Sequence, residues 1–250
     1  MSIKLRICVV RNFLKQQQII IKNIKRYQSS IDRSKKLHPD IILNEKTRNE
    51  FIERLKNFKS IKTITNNEPK IAAVLVPLCI YKGELGLLYT LRSKKLSLNG
   101  GQVSFPGGMR DNNDKNIEET ALRETWEELN IPMNNIDIWT KGNSICRKHV
   151  IVTPVFGFIG NIEPDKLNIN QEEVDEAFVV SLDRLCNDKY MGFTLYGDNQ
   201  YKLPTFEGHK HHIWGLTAII THIIMTALVP DVYKHKIQFL SNNENSIKPS

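Results

Sequence analysis

Three glutamates, Glu124, Glu127 and Glu128, stand at the spacing i, i+3, i+4 inside the run Arg123-Glu124-Thr125-Trp126-Glu127-Glu128. On an α-helix each residue advances by about 100°, so the three carboxylates share one face. Leu122, Trp126 and Leu129 fall on the roughly opposite face, where they are expected to pack against a core. Like charges at this spacing repel by about 0.2–0.5 kcal/mol per pair. No lysine between Lys115 and Lys141 relieves that repulsion. A divalent cation would convert it into binding, and oxygen-only ligands suit Mg²⁺ or Mn²⁺. A merely solvated acidic face has the same pattern, so the neighbouring residues decide.

Upstream, Phe105-Pro106-Gly107-Gly108 forms a tight, backbone-permissive turn that leads through polar residues into the helix. Such a turn lets main-chain N–H groups approach a phosphate closely. Taken together, Gly108, Arg123, Glu124, Glu127, Glu128 and Ile131 resemble the Nudix box, a glycine followed by an acid and then R-E-U-x-E-E-x-G-U with U aliphatic. Arg123 lies fifteen residues after Gly108, one more than in the general box, and the acid six residues on is Asp114. Thr125 replaces an aliphatic, and Asn130 replaces a glycine at a helix end where asparagine tolerates the left-handed conformation. The opening Gly107, Gly108, Asp111, Asp114 is similar to the coenzyme A diphosphatase branch of the family. So is the stretch Leu87-Leu88-Tyr89-Thr90-Leu91-Arg92-Ser93, followed by Gly101 and Phe105, although Ser97 stands where that signature has a second arginine.

This resemblance implies an α/β/α sandwich around a mixed β-sheet. It implies hydrolysis of the diphosphate of coenzyme A or its thioesters, giving 3′,5′-ADP and 4′-phosphopantetheine or its acyl form. Glu124, Glu127 and Glu128 would hold Mg²⁺ or Mn²⁺, with Arg123 orienting them by ion pairing. Arg92, Ser93, Gly101, Phe105, Gly107 and Gly108 would line the substrate. A carboxylate beside cations is poorly matched to serve as a base at neutral pH, which leaves a glutamate outside the box, with Glu173 the candidate, or a metal hydroxide with no separate base. Two alternatives stay open: hydrolysis of another nucleoside diphosphate derivative such as ADP-ribose or a dinucleotide, and a non-catalytic binding module of the same fold. Modules of that kind tend to lose the acidic stripe, which is intact here.

The rest of the chain must position these residues. Its 250 residues, 40% hydrophobic and 25% charged, fit one sizeable core. The net charge of +8 is misleading, because residues 1–31 hold seven of the 35 basic residues and none of the 27 acidic ones. The remaining body is nearly neutral, which argues against a nucleic-acid partner. Residues 1–30, basic and acid-free with interleaved apolar side chains, read as a mitochondrial targeting segment pointing to the matrix. Residues 31–69 are expected to be a linker, charged over 32–46, with an amphipathic helix at 47–58. The Nudix-like domain would span 70–232 and a partly disordered tail 233–250. Strands are expected at 71–80, 85–91, 136–144, 150–159 (split by Pro154) and 176–182, with short strands and turns over 190–206. The apolar run 213–229 reads as a buried helix rather than a membrane span. Four cysteines without C-x-x-C spacing exclude a disulfide framework, and His209, His211 and His212 lack the partners of a zinc site.

Overall fold

A computed structural model describes residues 31–58, 69–147, 149–196, 201–236 and 238–239, with positions 18, 22 and 28 described singly. The targeting segment and the tail beyond residue 240 lie outside this set apart from those single positions. So do residues 59–68, where the sequence suggests a turn, and Lys148.

The centre of the fold is a hairpin of β1 (Lys70–Tyr81) and β2 (Glu84–Arg92). Tyr81 pairs with Glu84 across a two-residue turn in which Lys82 (φ 52) and Gly83 (φ 80) are both left-handed, the geometry that matches strand twist. Side chains on a strand alternate between faces. Accordingly Ala73, Leu75 and Cys79 of β1 enter one core, while Val76 and Leu78 enter the other. On β2, Leu88 joins the first, and Leu85, Leu87 and Tyr89 the second. A strand apolar on both faces is covered on both faces. Helix α4 (Ile117–Leu129) supplies Ala121 and Leu129 to the first core. Helices α3 (Glu45–Lys56) and α6 (Gly215–Leu228) supply Phe51, Leu55, Ile220 and Ile224 to the second.

The main sheet runs β3 (Val103–Ser104), β2, β1, β7 (Val150–Asn161), β5 (Asp137–Lys141). Three strands join it off this path: β4 (Gly107–Met109) on β1, β6 (Ile145–Arg147) on β7, and β8 (Val174–Ser181) on β2. β1 and β7 are parallel and the other pairs antiparallel, so the sheet is mixed. Pro154 does not split β7. It falls between the stretches paired with β6 (up to Val152) and β5 (from Val155), where the ladder is already interrupted and its missing N–H is tolerated.

The charged stretch 32–46 is no spacer. It forms helix α1 at 31–36 and α2 (Pro39–Ile42), and buries Leu37 and Ile42 in the second core. Arg33 pairs with Asp183, and Arg48 grips Asp137 with two hydrogen bonds of 2.8 and 3.0 Å. Beyond β8 comes α5 (Leu182–Leu185), then a small second sheet of β9 (Met191–Tyr196), β10 (Tyr201–Glu207), β11 (His212–Ile213) and β12 (Gln238–Phe239). Among the described residues, no helix is long and apolar enough to cross a membrane.

Candidate active site

Helix α4 is bounded by side chains that satisfy its free backbone groups. At its start, the Asn116 side chain accepts from the Glu119 N–H (2.8 Å), and the Glu119 carboxylate accepts from the Lys115 N–H (2.6 Å). At its end, Asn130 takes the left-handed conformation (φ 55) and donates its N–H to the Trp126 carbonyl at 2.8 Å. Leu129 is buried as expected and Leu122 packs, partly buried, against the same core, but Trp126 is 49% exposed, and Ala121 and Thr125 complete the buried stripe in its place. The small side chains of Ala121 and Thr125 let the helix press close to β1, and the Thr125 hydroxyl is satisfied by donating to the Ala121 carbonyl at 2.7 Å. This rotation draws the acidic face partly inward. Glu128 becomes almost wholly buried and Glu124 largely so, while Glu127 remains at the rim.

Arg123 organises that face. Its guanidinium donates to both Asp114 oxygens (2.9 and 3.0 Å), to Glu124 and Glu127 (2.9 Å each) and to the Met109 carbonyl (3.0 Å). The hydrogen bond from Arg123 holds the buried Asp114 carboxyl well below the usual carboxylate range. Asp114 also accepts from the Asp111 N–H (2.9 Å), which closes the turn between β4 and α4. Through Arg123 the turn and the helix become one unit.

Three carboxylates converge beside it. One oxygen each from Glu124, Glu128 and Glu173 lie within 4.8 Å of one another. Glu127, expected to share a cation with its helix neighbours, is not one of these three; its carboxylate accepts from Arg123 Nη1 at 2.9 Å, as that of Glu124 does. Glu173 is the third member, brought from the loop before β8. The Glu128 Oε2 atom is buried without a hydrogen-bond partner, and its Oε1 lies 3.7 Å from Arg92 Nη1. Burial pushes the Glu128 carboxyl up to about 8, and nearby Arg92 offsets this only in part. Burial likewise raises Glu124. Gly108 completes the cradle: a Cβ there would stand 2.4 Å from the Glu124 carboxylate. An orphaned buried oxygen, three converging carboxylates and an all-oxygen donor set fit a divalent cation.

A family model described as the NUDIX domain matches residues 69–196, just over half of the chain. The chain belongs to the Nudix family. It is 40% identical over 173 residues to the mitochondrial coenzyme A diphosphatase NUDT8 of Mus musculus, covering 67% of this chain and 82% of that protein. The Homo sapiens protein of the same name is also 40% identical, over 178 residues, covering 69% and 75%. The peroxisomal coenzyme A diphosphatase NUDT7 of Mus musculus is 30% identical over 177 residues, covering 67% and 74%.

The remaining candidates take distinct places in this Nudix domain. Arg92, at the end of β2, faces the carboxylate group through Glu128. Ser93 and Phe105 were expected against substrate, but both are buried. Ser93 donates its N–H to the Glu173 carbonyl (2.8 Å), and Phe105 stacks on Tyr89 at 4.7 Å, so both act as supports. Gly101 (φ 72) donates its N–H to the Arg92 carbonyl (2.9 Å), and Arg92 donates to the Gln102 carbonyl (3.0 Å), which closes the base of the loop carrying exposed Ser97. Gly107 (φ 152) lies against β1, where a Cβ would come within 2.3 Å of the Ala73 carbonyl. His211 pairs with Glu176 and His212 with Glu207, and neither histidine belongs to a metal-holding group among the described residues. Two features escaped the sequence reading: Arg123's reliance on Asp114 and the approach of Arg92 to Glu128. Asp114 was visible as an acid in the box; no sequence signal couples position 92 to position 128.

Proposed function

We propose that this protein hydrolyses the diphosphate of coenzyme A and its thioesters. Water adds across the P–O–P bridge, giving 3′,5′-ADP and 4′-phosphopantetheine or its acyl form. The observation that carries the reading is the converging group Glu124, Glu128 and Glu173 with the orphaned buried oxygen of Glu128, in a chain 40% identical to two proteins named as coenzyme A diphosphatases. A divalent cation, Mg²⁺ or Mn²⁺, would supply neutralisation of phosphate charge and activation of water there. Glu124, Glu128 and Glu173 would hold it. Glu173 is assigned to holding the cation rather than to base catalysis, since its carboxylate stands within that group. Glu127 serves through Arg123, which fixes Glu124 in direction. The Gly107–Gly108 backbone leaves room beside Glu124 for the diphosphate to approach. Arg92, 3.7 Å from Glu128, faces the diphosphate rather than the 3′-phosphate of the substrate.

Purified residues 29–250, assayed against coenzyme A, acyl-coenzyme A, ADP-ribose and a dinucleotide, test the substrate. Robust ADP-ribose cleavage with no coenzyme A turnover overturns the assignment. Glu124→Gln and Glu128→Gln keep shape and remove charge, so each should lose turnover by orders of magnitude while staying folded. Near-normal rates in both at low Mg²⁺ would refute the site. Arg92→Ala should impair coenzyme A and 3′-dephospho-coenzyme A equally; impairment of coenzyme A alone would move Arg92 to the 3′-phosphate.

We also infer that the protein works in mitochondria, in the matrix. The acid-free basic segment 1–30 and the mitochondrial naming of the two 40% identical relatives support this. Residues 1–30 fused to a fluorescent reporter should carry it into mitochondria, and a diffuse reporter refutes the inference.

A further inference from the structure

We propose that Asn170 is the positioning residue that sets Glu173 against helix α4, an inference that rests on the reading of Glu173 as a cation-holding carboxylate. Glu173 comes from a loop, and loops place side chains less exactly than helices do. The gap is closed by one side chain and its own backbone. The Asn170 N–H donates to the Glu128 carbonyl at 2.9 Å. That carbonyl is one of the four at a helix end with no intrahelical partner, and it belongs to a residue whose carboxylate is in the group. The Asn170 carbonyl accepts from the Glu173 and Val174 N–H groups (3.0 and 2.8 Å), which closes the turn. Its side-chain oxygen accepts from the Glu172 N–H (3.1 Å), and its side-chain nitrogen donates to Glu173 Oε1 (3.2 Å).

Both ends of the amide are therefore used, and only asparagine supplies an acceptor for the turn and a donor for the carboxylate at this reach. From the other side, the Ser93 N–H fixes the Glu173 carbonyl at 2.8 Å. Asn170 thus ties Glu173 to Glu128, and Ser93 ties it to the strand that ends in Arg92. The donated N–H engages one Glu173 oxygen and so restricts how the carboxylate can turn. A partner that orients a metal-holding side chain in this way contributes about ten- to a hundredfold in metal affinity or activity.

The test uses the full chain with Mn²⁺, read by the electron paramagnetic resonance of the free ion without substrate, and by steady-state kinetics. Asn170→Ser keeps an acceptor for the turn but is too short to reach Glu173. It should weaken Mn²⁺ binding about tenfold and lower kcat with little change in KM, while the melting temperature in EDTA stays near that of the native chain. Asn170→Asp, which keeps size and acceptor and removes the donor, is the second variant and covers the case where the serine variant folds poorly. The decisive arm is Glu173→Gln, alone and combined with Asn170→Ser. If Asn170 acts through Glu173, the serine change adds no further loss in the glutamine background. Equal losses in both backgrounds, or native Mn²⁺ affinity in both Asn170 variants, overturn the proposal. Native Mn²⁺ affinity and turnover in Glu173→Gln itself overturn the underlying role of Glu173, which is a separate result.

Discussion

At the scale of single residues, Glu128 carries the sharpest consequence. Its carboxyl titrates near 8 in the fold without a cation, above the ordinary value of about 4.3. A carboxyl raised on folding binds its proton more tightly in the native state, so stability falls as pH rises from the unfolded to the folded value. The metal-free protein should therefore melt several degrees lower at pH 8 than at pH 5.5, and Glu128→Gln should flatten that dependence. A divalent cation should raise the melting temperature more at pH 8 than at pH 5.5, and its uptake near pH 7 should release protons, measurable by calorimetry in buffers of different ionisation enthalpy. Gly108 yields a companion expectation. A methyl at this position meets the Glu124 carboxylate at 2.4 Å, so Gly108→Ala should displace Glu124 and weaken Mn²⁺ binding at least tenfold. Native affinity in that variant would mean the turn yields instead of the carboxylate.

At the scale of elements, helix α4 separates what the sequence made legible from what it did not. Its existence and acidic face follow from the spacing of Glu124, Glu127 and Glu128, and its end from Asn130. Its rotation does not. Trp126 is the largest apolar side chain in the segment and was expected inward, yet the packing distance to β1 is set by the small residues Ala121 and Thr125. Periodicity reports which residues share a face; it does not report how close the sheet stands. Two measurements of stability test the rotation. Trp126→Ala, at a half-exposed position, should change stability by about 0.5 kcal/mol or less, whereas Ala121→Leu should destabilise by about 1–3 kcal/mol through overpacking. The reverse order would put Trp126 back in the core. The membership of Glu173 in the carboxylate group was hidden for a related reason. Its place is fixed by contacts between a loop and two elements distant in sequence, and no local pattern encodes them. β1 and β2 were legible because they are apolar on both faces; Pro154 misled, since its harmlessness depends on where β5 stops and β6 begins, and the two- and three-residue strands β3, β4 and β6 are too short to carry a pattern.

At the scale of the whole molecule, the matched span 69–196 is not a self-sufficient unit. Phe51 of α3 lies 4.6 Å from Phe156 and 6.0 Å from Trp139, and α6 brings Ile220, Ile224 and Met225 to the same core. A chain cut back to residues 69–196 should lack cooperative melting, while one spanning 29–250 should retain it; a sharp thermal transition in the short piece would show that the flanking helices merely decorate the sheet. Phe51→Ala in the longer chain should destabilise by about 3–5 kcal/mol. The loop between Arg92 and Gln102 behaves differently from these packed parts. Its feet are stitched together by the Arg92–Gly101 and Arg92–Gln102 bonds, and Ser97 sits out in solvent between them. The exposed crown at 97–99 can thus change in charge like an interchangeable fitting, whereas Ser93, Lys94 and Lys95 at its foot reach Glu173, Asp175 and Glu172 and hold the carboxylate loop in place.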